Sequence, residues 1–124
     1  MTSILIVEDE AIILRNIARC LRKEGYEVLT AADRASARQI FQKRDVEALC
    51  LDINLSDGNG LELLAEFRKT IPNLPTIVVS ASMCKADRDR AAKLGVRAYL
   101  TKPFVLVDLV QAIAQCFNAA PNNA

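Results

Sequence analysis

The strongest constraint on this chain is a rhythm. Short apolar runs alternate with segments whose apolar residues recur at helical spacing. Ile4-Leu5-Ile6-Val7, Ala48-Leu49-Cys50-Leu51 and Thr76-Ile77-Val78-Val79 are almost continuously apolar and of strand length. A run of that kind suits a strand covered on both faces. Residues 26–31 and Ala98-Tyr99-Leu100 bring the strands to five. Five helical patterns follow them in turn. The first, over 11–24, places Ile13, Leu14, Ile17, Cys20 and Leu21 on one face and stops at Gly25. The second follows Asp33, a good N-cap, and carries Ala37, Ile40 and Phe41. The third starts behind Asn59, with Glu62 three residues on as in a capping box, and buries Leu63, Leu64 and Phe67. The fourth, over 86–94, has Leu94 as its clearest apolar anchor and ends at Gly95. The fifth, over 105–117, repeats Leu106, Leu109, Val110, Ile113 and Phe117.

Strand–helix units without a hairpin signal imply a parallel sheet with helices on both faces. The second strand carries Glu27 and Thr30 and so suits an edge. The expected fold is therefore α/β, a flavodoxin-like (βα)5 doubly wound parallel sheet in strand order 2-1-3-4-5. At 124 residues the chain holds one such domain, expected over 1–118, followed by a polar, disordered tail or linker start over 119–124.

Composition removes whole classes of function. There is no histidine, which excludes Ser–His and Cys–His catalysis and histidine metal sites within the chain. A net charge of +1 provides no basic stripe for nucleic acid. No run of 18 apolar residues exists, and the N-terminus meets Glu8-Asp9-Glu10 too early for a signal peptide, so a cytoplasmic protein without membrane contact is expected. Cys20, Cys50, Cys84 and Cys116 lack metal-ligand spacing and read as small hydrophobes.

In such sheets ligands bind beyond the carboxyl ends of the strands. The first strand delivers Glu8 and Asp9 there, the third Asp52, the fourth Ser80 and the fifth Lys102. Carboxylates brought together repel by about 4 kcal/mol per pair at 4 Å and an effective dielectric near 20. Lys102 offsets part of that cost, and a hard divalent cation offsets more. With only oxygen ligands at hand, Mg2+ (or Mn2+) fits best. The set suits phosphoryl chemistry, with Asp52 as the nucleophile that forms an acyl phosphate, Lys102 stabilising charge, and Ser80 donating to a phosphoryl oxygen.

These residues resemble the receiver domain of two-component response regulators over nearly the whole chain. Residues 4–10, Leu51-Asp52-Ile53-Asn54-Leu55, Asp57-Gly58-Asn59-Gly60, Val79-Ser80-Ala81 and Tyr99-Leu100-Thr101-Lys102-Pro103-Phe104 carry the resemblance, in order and at the family's spacing. It implies that Asp52 accepts a phosphoryl group from a histidine kinase or a histidine phosphotransfer protein. It implies that Asp9, Asp52 and the Asn54 carbonyl ligate magnesium, with Glu8 acting mainly through metal-bound water. It further implies that Ser80 and Tyr99 form a switch, that the bond before Pro103 is cis, and that the surface of the fourth helix, fifth strand and fifth helix is read by a downstream output domain or protein. Donor docking is implied on the first helix, around Glu10, Ile12, Arg15 and Arg19. Catalysis would extend only to the domain's own phosphorylation and dephosphorylation. Ser56 stands where the family usually has proline, and the fifth helix lacks the arginine that many members use in dimer salt bridges.

Other functions fit less well. A haloacid-dehalogenase-like phosphatase needs a second aspartate where Asn54 stands, and a substrate cap. A flavin carrier needs a hydroxyl- and glycine-rich phosphate loop where Glu8-Asp9-Glu10 stands. A receiver-fold docking scaffold would not need the full set of site residues.

Overall fold

A computed structural model describes residues 2–118; the tail expected over 119–124 lies outside the described residues. The elements follow the expected rhythm: β1 Ser3–Val7, α1 Ala11–Lys23, β2 Glu27–Ala31, α2 Arg34–Lys43, β3 Ala48–Leu51, β4 Asn54–Leu55, β5 Gly58–Asn59, α3 Gly60–Arg68, β6 Thr76–Ser80, α4 Lys85–Lys93, β7 Ala98–Thr101 and α5 Leu106–Asn118. Five strands form one parallel sheet in the order β2-β1-β3-β6-β7, which is 2-1-3-4-5 when only its own strands are counted.

The central strands are buried on both faces, and side-chain alternation sorts their residues between two cores. Ile4, Ile6, Cys50, Ile77 and Val79 join Ile17 and Leu21 of α1 and Leu109 and Ile113 of α5. Leu5, Val7, Leu49 and Leu51 join Ala37 of α2 and Leu63, Leu64 and Phe67 of α3. Val78, also on that second face, meets Ile53, Leu61 and Ala91 of α4. This is why those runs contain no polar alternation.

Local chemistry sets the helix starts. Asp33 accepts from the Ser36 amide at 2.8 Å, and Asn59 accepts from the Leu61 and Glu62 amides at 2.7 and 3.2 Å. The Glu62 side chain does not complete a capping box; it faces Arg34 across to α2, at 3.4 Å. The segment after Asp52 departs from the strand–helix rhythm. It closes into a two-stranded antiparallel hairpin, with Asn54 opposite Asn59 and Leu55 opposite Gly58. Gly58 permits the turn with a φ of +142°, and the Asp57 carboxylate caps α2 from outside by accepting from the Arg34 and Ala35 amides at 2.8 and 3.1 Å. On α5, Leu109 and Ile113 point inward as expected, whereas Leu106 is exposed at the helix start.

Candidate phosphoacceptor site

Strand register assembles the site. Val7 pairs with Leu51, so Glu8 and Asp52 emerge side by side from β1 and β3. Ser80 pairs with Thr101, and the Lys102 amide donates to the Ser80 carbonyl at 3.0 Å, so the hydroxyl and the ammonium leave the sheet from neighbouring strands. The Lys102–Pro103 peptide is cis.

At the centre lies Lys102. Its Nζ sits 2.9 Å from Glu8 Oε1, 2.9 Å from Glu10 Oε1 and 2.9 Å from Asp52 Oδ2. The ammonium donates to Glu10 and Asp52 and pairs in charge with Glu8. Glu8 and Asp52 are buried, and Glu10 is exposed. Burial pushes the Glu8 carboxyl above its ordinary value, against the lowering pull of the Lys102 ammonium. Burial alone would lower Lys102, but its contacts with Glu8, Glu10 and Asp52 outweigh that and hold it above the ordinary lysine value. Lys102 is therefore firmly cationic.

The backbone presses in from below. The Asn54 amide donates to Asp52 Oδ1 at 3.2 Å. Gly60 brings the start of α3 against Asp52 so closely that a Cβ on Gly60 would lie 2.0 Å from the Asp52 carbonyl oxygen. No side chain fits there.

Ser80 is fully buried, and its Oγ accepts from the Ser82 amide at 3.2 Å. The Ser82 carbonyl in turn accepts from the Tyr99 hydroxyl at 3.0 Å. Ser80 and Tyr99 are thus linked through one residue. Arg88 of α4 lies over the Tyr99 ring, 4.8 Å from its centroid.

Of the residues singled out from sequence, Glu8, Asp52 and Lys102 meet, the Asn54 amide touches Asp52, and Ser80 and Tyr99 are joined through Ser82 rather than to the carboxylates. Asp9 is exposed and outside the cluster, while Glu10 is inside it. Glu10 has extended backbone at the N-cap of α1 and its carboxylate reaches Lys102; nothing in the sequence marks it out from Asp9. Oxygens of Glu8, Glu10 and Asp52 all lie within 4.8 Å of one another. This hard, all-oxygen donor set suits magnesium or manganese better than zinc, which favours nitrogen and sulfur ligands. Among the described residues, no helix is long and apolar enough to cross a membrane.

Comparison with known proteins agrees with this fold. Residues 4–114 match the family model for the response regulator receiver domain. The chain is 34% identical over 110 residues to the transcriptional regulatory protein PrrA of Mycobacterium bovis, covering 89% of this chain and 47% of PrrA. It is 37% identical over 100 residues to the alginate biosynthesis transcriptional regulatory protein AlgB of Pseudomonas putida, covering 81% of this chain and 22% of AlgB. The chain thus spans about half, or less, of these curated relatives. Among solved structures, a CheY-like response regulator receiver domain protein from Methanospirillum hungatei superposes with a TM-score of 0.88 at 30% identity, covering 93% of this chain and 92% of that one. The response regulator protein TrrA from Thermotoga maritima, in complex with Mg(2+)-BeF, gives 0.83 at 27%, covering 94% and 100%. With the family model matched over residues 4–114 and the same fold in its structural relatives, this chain belongs to the response regulator receiver domains of two-component signal transduction.

Proposed function

We propose that Asp52 is the phosphoacceptor and that the chain cycles between free and aspartyl-phosphate forms. The observation that carries this is the buried Asp52 carboxylate held 2.9 Å from the Lys102 ammonium at the carboxyl end of the sheet. An oxygen of Asp52 attacks the phosphorus of a partner's phosphohistidine. The phosphorus–nitrogen bond breaks, its electron pair leaves on the imidazole, and an acyl phosphate remains on Asp52. Lys102 pairs with the phosphoryl oxygens as they arrive. Glu8, Asp52 and the Asn54 carbonyl, with Asp9 once its exposed side chain turns toward Asp52, are the groups that would hold magnesium or manganese, and the ion would supply positive charge against those same oxygens. The chain turns over only this phosphoryl group and is no enzyme toward other substrates.

Output follows from the Ser80–Ser82–Tyr99 link. When the Ser80 hydroxyl turns to a phosphoryl oxygen it gives up the Ser82 amide. Ser82 also holds Tyr99 through its carbonyl and Asp87 of α4 through its hydroxyl, at 2.6 Å. One local exchange of hydrogen bonds therefore reaches the α4–β7–α5 surface, where an output domain or protein would read it. The donor, a histidine kinase or phosphotransfer protein, docks where α1 meets the start of α5. Ile12, Val105 and Val107 are exposed there, and a cavity of about 280 Å³ opens between Ile13, Asn16, Lys102, Pro103, Phe104 and Leu106. The proposed place of action is the cytoplasm.

The test is direct. With magnesium and a small acyl-phosphate donor, the protein gains one acid-stable, base-labile phosphoryl group, located on Asp52 by mass spectrometry, and Asp52→Asn gains none. Continuous release of phosphate from many monoesters would favour a phosphatase instead. No label from any donor would favour a docking scaffold.

A further inference from the structure

We infer that Glu10 is a specificity-determining residue that holds the site against small anionic phosphoryl donors. This deepens the phosphoacceptor reading and rests on it. The Lys102 ammonium is crowded by three carboxylates at 2.9 Å: it hydrogen-bonds Glu10 and Asp52 and pairs in charge with Glu8. To pair closely with an arriving phosphoryl oxygen it has to loosen its hold on one of them.

The three are not equivalent. Glu8 is 2% exposed, and its second oxygen already accepts from the Glu10 amide at 3.1 Å; stripping the ammonium from it would leave a buried charge without its counterion. Asp52 is the acceptor itself. The Glu10 side chain is 61% exposed, so water takes over its carboxylate at little cost. Glu10 is therefore the exchangeable partner, occupying the place on Lys102 that the phosphoryl group takes.

Its position has a second consequence. Glu10 closes the solvent side of the carboxylate cluster, so a donor's phosphoryl oxygens approach past a third negative charge. A protein donor offsets that repulsion with a docked interface. A free small donor has no such interface. Glu10 thus biases the site toward protein donors, and both effects, the occupied ammonium and the repulsion, act in the same direction.

The experiment compares the wild type with Glu10→Gln and Glu10→Asp, at saturating magnesium, by the rate of phosphoryl incorporation on Asp52. The donors are acetyl phosphate, a dianion at neutral pH, and phosphoramidate, a monoanion. Glu10→Gln is expected to accelerate acetyl phosphate labelling by roughly two- to fivefold, the equivalent of one surface ion pair. The gain should be smaller with phosphoramidate. It should also shrink as salt rises to about 1 M, where the screening length falls to about 3 Å. Glu10→Asp, which keeps the charge, should stay close to the wild type in its salt dependence. Equal or slower labelling of Glu10→Gln overturns the role of Glu10 alone. So does a gain independent of salt and of donor charge. Failure of the wild type to label with either donor overturns the phosphoacceptor reading, and the role of Glu10 with it.

Discussion

Helices α1 and α4 lie over the same sheet but are held by different forces. α1 buries Ile17, Ala18 and Leu21 in the core it shares with α5. Burying a leucine contributes about 2 kcal/mol, and a packed neighbour keeps it in one rotamer. α4 buries only Ala91. Apart from Leu94, which packs partly buried at its end, the rest of its hold is polar: Asp87 to Ser82, Arg88 to Thr101 at 3.3 Å, Arg88 over Tyr99, and Arg68 of α3 donating to the Leu94 carbonyl. Each polar contact is worth about 1 kcal/mol net and exchanges readily with water. A helix held by apolar volume moves only when the core opens. A helix resting on one alanine and a few directional contacts shifts when one contact changes. α1 is built as a platform and α4 as a part that a change in one contact can shift, which is what the proposed switch requires.

Thiol chemistry is the widest probe of that contrast. Burial pushes the Cys50 thiol of β3 from 9.0 up to about 12, which leaves about a thousandfold less reactive thiolate at neutral pH. Cys84 caps α4 and is exposed; Cys20 on α1 is half-buried. Alkylation followed by mass spectrometry should modify Cys84 first, Cys20 more slowly, and Cys50 only on unfolding. Cys20 reacting as fast as Cys84 would break the contrast. Next in size, Leu21→Ala should cost about 2–5 kcal/mol in urea unfolding, whereas Ala91→Gly on α4 should cost about 1 kcal/mol. Equal losses would mean that α4 is anchored as firmly as α1. The smallest effect expected is that of Arg88→Ala, about 0.5–1 kcal/mol in stability. Its signature is local: resonances of Tyr99 and of the α4 amides should shift while those of Tyr26 and α1 stay in place.

Glu10 and Asp9 show where reading from sequence stops. Both stand in the acidic stretch after β1, and nothing local separates them. What brings Glu10 to Lys102 is a sheet that places residues 92 positions apart at hydrogen-bonding distance. The same holds for Asp57, whose carboxylate caps a helix that starts 23 residues earlier, and for Gly60, whose missing side chain is needed only because Asp52 passes so close. The Asn54–Asn59 hairpin is two residues per strand, too short to impose a period on the sequence.

The chain's apolar pattern determined the elements, their alternation and the parallel sheet, because burial on two faces leaves a continuous run and burial on one helical face leaves a repeat near 3.6 residues. Cap residues and glycines determined where helices begin and end, because those contacts reach only three or four residues. The same pattern told which residues reach the sheet's carboxyl end. Which of them share the Lys102 ammonium, which one stays exchangeable, and which helix is left on a single buried alanine were decided by the tertiary structure. Coulomb attraction and packing depend on distance in space, and only the assembled sheet sets that distance.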